Sequence, residues 1–442
     1  MTRMQGKTST PFRWLAVACL LSGLLRPGVA AEPEAGATTP PGDDEIQALF
    51  DKGLEAMRQD HVRTAREAFE EVLRRNPHLQ RARLELANAY YRSLDYARAR
   101  ELAQEVLDAP ETPPEVRVSV LAFLAQIKQE ELQFARRHRW TPSIYAGYMY
   151  DSNVNVGPIS DILQYQGNLL NLLPGSTKKS DSAFVINPGI AHSYNPGKTF
   201  QLGEQTAFLL WDSQANLYHR QYFSETDFNL TVLSASTGPR LIATRHWQAG
   251  LRLQADYIWL GGDDLALFTS LVPSVSWQTP LGFELTVDGI VGYRDYVQAV
   301  DDRRDGTYTA AGGALGRYFL NRRLSLQAGG RYANLDARQD RFSYYGPELF
   351  VGAEAAAWRN GTVYGRLSYR NLNFRGPEPF PFGIARDDEE WRYMLGFEHL
   401  FTDGLLERWS LVGNWIRTDN RSNVPLYMYD RDQINLGLSR SF

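Results

Sequence analysis

The chain has a single cysteine, Cys19, among 442 residues. It lies in an amino-terminal segment with the marks of a removable signal: Arg3, Lys7 and Arg13, then apolar residues 14–25, then the small-residue run Val29-Ala30-Ala31. A mature chain starting near Glu32 has no thiol, which excludes a disulfide framework, a thiolate metal site and a cysteine nucleophile. Ala16 stands where a lipoprotein signal wants leucine and little apolar sequence precedes Cys19, so lipidation there is not expected.

Long apolar runs are missing as well. After the signal no stretch reaches the roughly 20 apolar residues of a spanning helix. Charge of one sign is also lacking: the formal net charge is -4, with no basic stripe for nucleic acid or an anionic membrane surface. Seven histidines, His61, His78, His138, His192, His219, His246 and His399, are scattered, and no two are spaced to clasp a metal from one face. No G-x-S-x-G run marks an acyl-transfer nucleophile. No enzymatic activity, cofactor or bound metal is expected of this chain.

What is present is aromatic: 10 Trp, 23 Tyr and 21 Phe, concentrated after residue 140. Residues 140–442 read as amphipathic β-segments joined by connections that alternate short and long. Leu251, Leu253, Ala255, Tyr257 and Trp259 share one face, and Arg252, Gln254 and Asp256 share the other. Leu324, Leu326, Ala328 and Tyr332 likewise oppose Ser325, Gln327 and Arg331. A bilayer offers no water to backbone N–H and C=O groups, so strands that cross it must close into a ring. This pattern predicts an outer-membrane β-barrel with lipid-facing apolar residues and a polar lumen that Arg252, Asp256, Arg331, Arg366 and Arg370 help to line.

Short turns are expected at 195–198, 237–240, 279–282, 320–323, 359–361 and 402–404, each rich in Gly, Pro, Asn or Asp. Longer loops are expected at 151–181, 212–224, 297–305, 338–346, 376–388 and 420–430, with a tight Gly261-Gly262 turn as the exception. Seven outer loops and six inner turns make about 14 antiparallel strands, with both ends of the barrel on the periplasmic side. Leu436, Leu438 and Phe442 fall on one face at period two, the lipid-facing side, and this last strand is expected to be the barrel assembly signal and to pair with the first near 144–150.

Before the barrel, a linker at 32–44 leads to helices with an internal period of 34 residues. Ala65 and Ala99, Val72 and Val106, Gly53 and Ala87, and Phe69 and Ala103 repeat at that spacing. Leu49, Gly53, Ala65, Phe69 and Pro77 occupy the places of the tetratricopeptide pattern: small residues where paired helices touch, a large one to fill the gap, a proline to end the second helix. The expected helices are 46–58, 62–75, 79–92, 96–107 and 114–137, in an all-α domain of residues 45–139 placed in the periplasm. So short an array buries little and is expected to pack against the barrel. Its concave face is read as a peptide groove, with Arg58, Asn88, Tyr91 and Arg92 as candidate client-binding residues.

At 151–157 the run Asp-Ser-Asn-Val-Asn-Val-Gly starts like a calcium loop, but its glycine is one place late and Ile162 stands where a bidentate Glu should close the site. Calcium is not expected, and Asp151, Asn153 and Asn155 share one strand face. A cleavable signal, a short repeat array and about 14 strands opening on this Asp-x-Asn-x-Asn run and closing on Phe442 resemble the surface lipoprotein assembly modifier family. That resemblance implies an outer-membrane translocon or assembly factor that delivers surface lipoproteins, or secreted haem- or metal-scavenging proteins, to the cell surface.

Three functions are weighed. The leading one is protein export, with a client lipoprotein or secreted protein, outer-membrane lipid and the barrel assembly machinery as partners and no nucleic acid. The alternatives are an exopolysaccharide export porin, and a solute porin whose repeats bind peptide. The loop 151–181 is expected to be extracellular and to fold over or into the barrel mouth, because its stretches 159–163 and 169–173, with Ile159, Ile162, Leu163, Leu169, Leu170, Leu172 and Leu173, are too apolar for a free loop.

Overall fold

The computed structural model describes residues 43–158, 160–173, 175–243 and 246–442. The signal segment and most of the expected linker, 32–42, lie outside the described residues. Two compact units emerge: residues up to Gln133 with Gln201–Thr206, and Phe134–Phe200 with Ala207–Phe442.

The first unit holds five helices: α1 (Asp43–Arg58), α2 (Val62–Arg75), α3 (Gln80–Arg92), α4 (Tyr96–Asp108) and α5 (Pro114–Phe134). Local chemistry sets their ends. Acidic Asp43, Asp44 and Glu45 lie in the first turn of α1, where the helix dipole favours them. Asp95 caps α4 by accepting the Arg98 N–H at 3.1 Å, and Pro114 opens α5. The 34-residue period becomes the core, since Ala65, Phe69, Val72, Ala99 and Ala103 are all fully buried. A Cβ at Gly53 would fall 2.5 Å from the Phe69 ring, so glycine is required where α1 meets α2. Among the described residues no helix is long and apolar enough to cross a membrane.

The second unit is a closed barrel of 14 antiparallel strands. In chain order the strands are β1 (His138–Asp151), β2 (Ile162–Tyr165), β3 (Asn168–Asn171), β4 (Asp181–Tyr194), β5 (Thr199–Leu202), β6 (Gln205–Tyr222), β7 (Leu230–Ala243), β8 (Trp247–Leu260) and β9 (Asp263–Gln278). They continue as β10 (Phe283–Tyr296), β11 (Gly306–Phe319), β12 (Leu324–Ala337), β13 (Tyr344–Trp358), β14 (Gly361–Pro377), β15 (Ala385–Leu400), β16 (Ser410–Ser422) and β17 (Tyr429–Ser441). All but the hairpin β2–β3 and the short β5 form the ring. It closes where β1 meets β17, from Ser143 opposite Ser441 to Asp151 opposite Gln433, so each of the 14 ring strands has a neighbour on both sides.

Side-chain alternation gives the ring two faces of opposite polarity. Leu251, Leu253, Leu271, Val287, Val351 and Leu395 point outward and are exposed, as a lipid-facing surface requires. Outward rows end in aromatics. Trp140, Trp211, Trp277 and Trp358 stand at the short-turn end, and Tyr148, Tyr293, Tyr332 and Tyr345 stand toward the long-loop end. From Trp247 to Tyr257 is ten residues on β8, about 25 Å along the barrel axis at ~3.3 Å per residue and a tilt of ~40°. That matches the apolar band of a membrane barrel.

Two sequence expectations need correction. The Gly238-Pro239 pair is not a turn: β7 runs through it to Ala243, and Pro239 lies opposite Trp211 on β6. Gly238 serves close strand approach instead, since a Cβ there would meet the Leu251 carbonyl oxygen at 2.0 Å. Nor is 212–224 a loop, because β6 continues to Tyr222. Asp212, Gln214, Asn216 and Arg220 are its inward strand positions, and Asp212 accepts Ser193 Oγ at 2.7 Å and pairs with Arg240 at 2.6 Å. The chain also adds β5 between the 195–198 turn and β6, which the sequence did not announce. Gly261 and Gly262, with φ of 64° and 98°, form the tight turn between β8 and β9 as read.

Candidate functional site at the loop end of the barrel

The Asp-x-Asn-x-Asn run ends β1 and turns the chain back inside the ring. Asp151 and Asn153 are fully buried. Two oxygens of Asp151 receive Arg431 Nε at 2.9 and 3.2 Å, Arg431 Nη2, Tyr222 Oη at 2.7 Å and Gln433 Nε2 at 3.0 Å. Arg431 and Gln433 belong to β17, so this carboxylate ties the barrel's closing seam, with Tyr222 of β6 on its other side. With a guanidinium, a phenol and an amide around it, Asp151 is a structural anchor with no open position for a cation.

Asn153 and Asn155 then hold the loop. Asn153 Nδ2 donates to the Gly157 and Asp430 carbonyls at 2.9 and 3.0 Å, and its Oδ1 accepts the Gly157 N–H at 2.9 Å. Asn155 Nδ2 donates to Thr177 O at 2.8 Å while its Oδ1 accepts the Lys179 N–H at 3.0 Å, tying the two ends of the loop together. Each amide meets both its donor and its acceptor needs, which explains the choice of Asn. Val154 and Leu163 are buried. Tyr165 on β2 reaches across to the 378–384 connection, donating to Phe382 O at 2.8 Å with its ring 5.1 Å from that of Phe382. The loop thus folds into the barrel mouth, although Leu169 and Leu173 at 69% and 79% exposure lie on its outer surface.

Beneath the loop, Val156 borders a cavity of about 220 Å³ with Arg370, Arg386, Asp388, Glu390, Tyr427 and Tyr429 among its walls. Glu390, 8% exposed, accepts Arg370 at 3.0 Å and Tyr429 Oη at 3.1 Å. Arg386 lies 3.1 Å from Asp388, with its guanidinium 3.8 Å from the Phe374 ring centre and 3.9 Å from that of Tyr427. Farther round, Arg331 bridges Asp288 and Glu348 at 3.7 and 3.9 Å, and Arg366 stacks 3.7 Å over Phe350. Sequence reading found Arg331, Arg366 and Arg370 but missed Arg431, Tyr222 and the β15 ladder. The signal for the ladder is legible in retrospect: Arg386, Asp388, Glu390 and Arg392 recur at period two on one strand face.

In the helical unit the four candidate groove residues are not grouped alike. Arg58 is exposed and pairs with Glu55 at 2.8 Å. Asn88 is half-buried beside Glu85, whose carboxyl burial pushes above its ordinary range despite the neighbouring Arg81. Tyr91 donates to Glu130 and accepts Gln126 Nε2 at 2.7 Å, linking α3 to α5. Burial raises both the Tyr91 hydroxyl and the Glu130 carboxyl above their usual values. Arg92 donates to Met57 O at 2.9 Å and Asp60 Oδ1 at 3.1 Å. Tyr91 and Arg92 therefore also hold repeats together. Among the described residues no group of three His, Cys, Asp or Glu side chains is placed to hold a metal.

Residues 50–114 match the tetratricopeptide repeat family. No curated protein matches the chain. Solved structures are similar at low identity. A FadL homologue of Pseudomonas aeruginosa is 10% identical, with a TM-score of 0.36 over 71% of this chain and 91% of that one. OccAB4 of Acinetobacter baumannii is 9% identical, with 0.33 over 69% and 98%, and OprD of P. aeruginosa 10% identical, with 0.34 over 68% and 94%.

Proposed function

We propose that this chain is an outer-membrane conduit that passes a polypeptide client to the cell surface, with the tetratricopeptide repeats receiving the client in the periplasm. The observation that carries this reading is the joining of a repeat array to a closed barrel whose first strand starts, and last strand ends, at the short-turn end. In barrels of this kind short turns face the periplasm, and a stacked helical array offers a concave surface to an extended peptide. The loop pinned in the mouth is consistent with a passage that is shut between clients. The client class is the one the family resemblance implies, a surface lipoprotein or a secreted scavenging protein, and insertion of the conduit itself calls on the barrel assembly machinery.

Removing residues 45–137 is the test. The truncated barrel is expected to insert and the client to stay unlabelled at the surface, read by surface labelling of a co-expressed candidate surface lipoprotein together with membrane fractionation. Normal display by the truncated protein would make the repeats a spacer.

A second reading, export of an acidic polysaccharide, is favoured by one observation. Inward arginines lie on aromatic rings, Arg294 at 4.3 Å from Tyr308 and Arg366 at 3.7 Å from Phe350, which is a surface suited to sugar rings bearing carboxylates. Loss of exopolysaccharide with unchanged client display in a deletion strain would select it.

A further inference from the structure

Helix α5 has two apolar faces where a terminal helix needs only one. Val120, Phe123 and Ile127 are buried, with the Phe123 ring 5.5 Å from that of Tyr91 on α3. The opposite face is bare, and the last helix of a stacked array ordinarily turns a polar face outward. Instead Val118, Leu121 and Leu132 stand 69%, 53% and 61% exposed there, with Ala122 and Ala125 exposed among them.

The 34-residue period identifies what ordinarily covers this face. Phe50, Gly53 and Met57 on α1 recur as Leu84, Ala87 and Tyr91 on α3, and again as Val118, Leu121 and Ala125 on α5. In the first two repeats the second helix of the pair covers these positions. The Phe50 ring lies 5.7 Å from that of Phe69 on α2, a Cβ at Gly53 would meet the same ring, and Tyr91 lies 5.9 Å from Tyr96 of α4. The third pair lacks its second helix among the described residues, because after α5 the chain enters β1 at His138. The bare face is therefore one that a helix covers. Residues 32–42 contain no large apolar side chain that could do so.

We propose that the helix is α5 of a second copy of this chain, packed antiparallel on its own image. A two-fold axis crossing between Leu121 and Ala122 sets Leu121 against the partner's Ala122 and Val118 against the partner's Ala125, large against small at each step. The same axis sets Glu115 against the partner's Lys128 at both ends of the contact. At about 100° per residue these two exposed charges flank the apolar stripe on opposite sides, each roughly 70° from its centre. Volume and charge are thus both self-complementary, as an isologous contact requires.

Cross-linking of the full chain in isolated outer membranes tests the contact, since the single cysteine, Cys19, lies in the expected signal. Ala122→Cys places two thiols about 9 Å apart across packed helices, and a short bismaleimide is expected to give a dimer of this chain. Leu132→Cys places them about 30 Å apart along antiparallel helices and is expected to give none. In the Ala122→Cys background, Leu121→Glu puts a charge into the apolar contact and should cut the dimer about tenfold. Glu115→Lys should cut it about threefold, and Glu115→Lys with Lys128→Glu should restore it. Heat-modifiable migration and far-ultraviolet circular dichroism of each purified variant report an intact barrel and intact helices. No dimer from Ala122→Cys, as much dimer from Leu132→Cys, an undiminished dimer with Leu121→Glu, or an adduct with a different protein in place of the second copy would each overturn the proposal.

Discussion

The helical unit and the barrel use the same charged residues in opposite ways. In the helices ion pairs such as Arg58–Glu55 and Arg98–Glu101 lie on the outside at 2.8 Å, three residues apart and more than half exposed, while Phe69, Val72 and Ile127 fill the core. In the barrel leucines and valines are outside, and Asp151, Glu390 and Arg431 are inside. Surface pairs in water are worth tenths of a kcal/mol. A buried pair is different, because removing one partner strands the other charge. Charge therefore lies mostly at the surface of the repeats, with Arg92–Asp60 as a half-buried pair between helices, whereas in the barrel it lines the interior and ties the closing seam to the loop.

The largest effect that sharpens this contrast is loss of closure. Deleting 434–442 takes away most of the strand that pairs with Ser143–Asp151, and no heat-modifiable, protease-resistant barrel is expected in membrane fractions. Wild-type amounts would show that the ring closes elsewhere. Next comes Asp151→Ala, which leaves Arg431 buried without its carboxylate and costs about 3–5 kcal/mol. The expected readout is faster thiol labelling of Leu163→Cys, a residue only 6% exposed, in the Asp151→Ala background than in its absence. Unchanged labelling would mean that the loop is held without the seam.

Within the repeats, steric fit should matter more than charge. Gly53→Val places a side chain where a Cβ alone already falls 2.5 Å from the Phe69 ring, and it should lower the stability of the helical transition, followed at 222 nm, by about 1–3 kcal/mol. Smallest is Glu55→Ala, which removes the exposed partner of Arg58 and should shift the same transition by less than about 0.5 kcal/mol. If Glu55→Ala cost as much as Asp151→Ala, the contrast between the units would fail.

Much of this was legible in the sequence, and the parts that were not share a cause. Helix ends were read to within three residues because small and large residues recur at a fixed spacing and the helical core is dry. Most turns were read from Gly, Asn and Pro. Asp212-Ser213-Gln214-Ala215-Asn216 looked like a loop because a strand facing a polar lumen is nearly as hydrophilic as a loop, and Gly238-Pro239 looked like a turn because local composition cannot show that a neighbouring carbonyl needs the space. Asp151, Asn153 and Asn155 stood out as a pattern, whereas the Asp151 partners Tyr222 and Arg431 lie 71 and 280 residues away. Pairing at that separation is set by strand register around the ring, which no local motif carries.

Single-channel conductance of the purified full chain in planar bilayers tests most directly whether the mouth is held shut from the seam. The account predicts a wild-type protein that is nearly silent, and Asp151→Ala and a deletion of 158–176 that both open it. A wild-type chain conducting as freely as the loop deletion would contradict it.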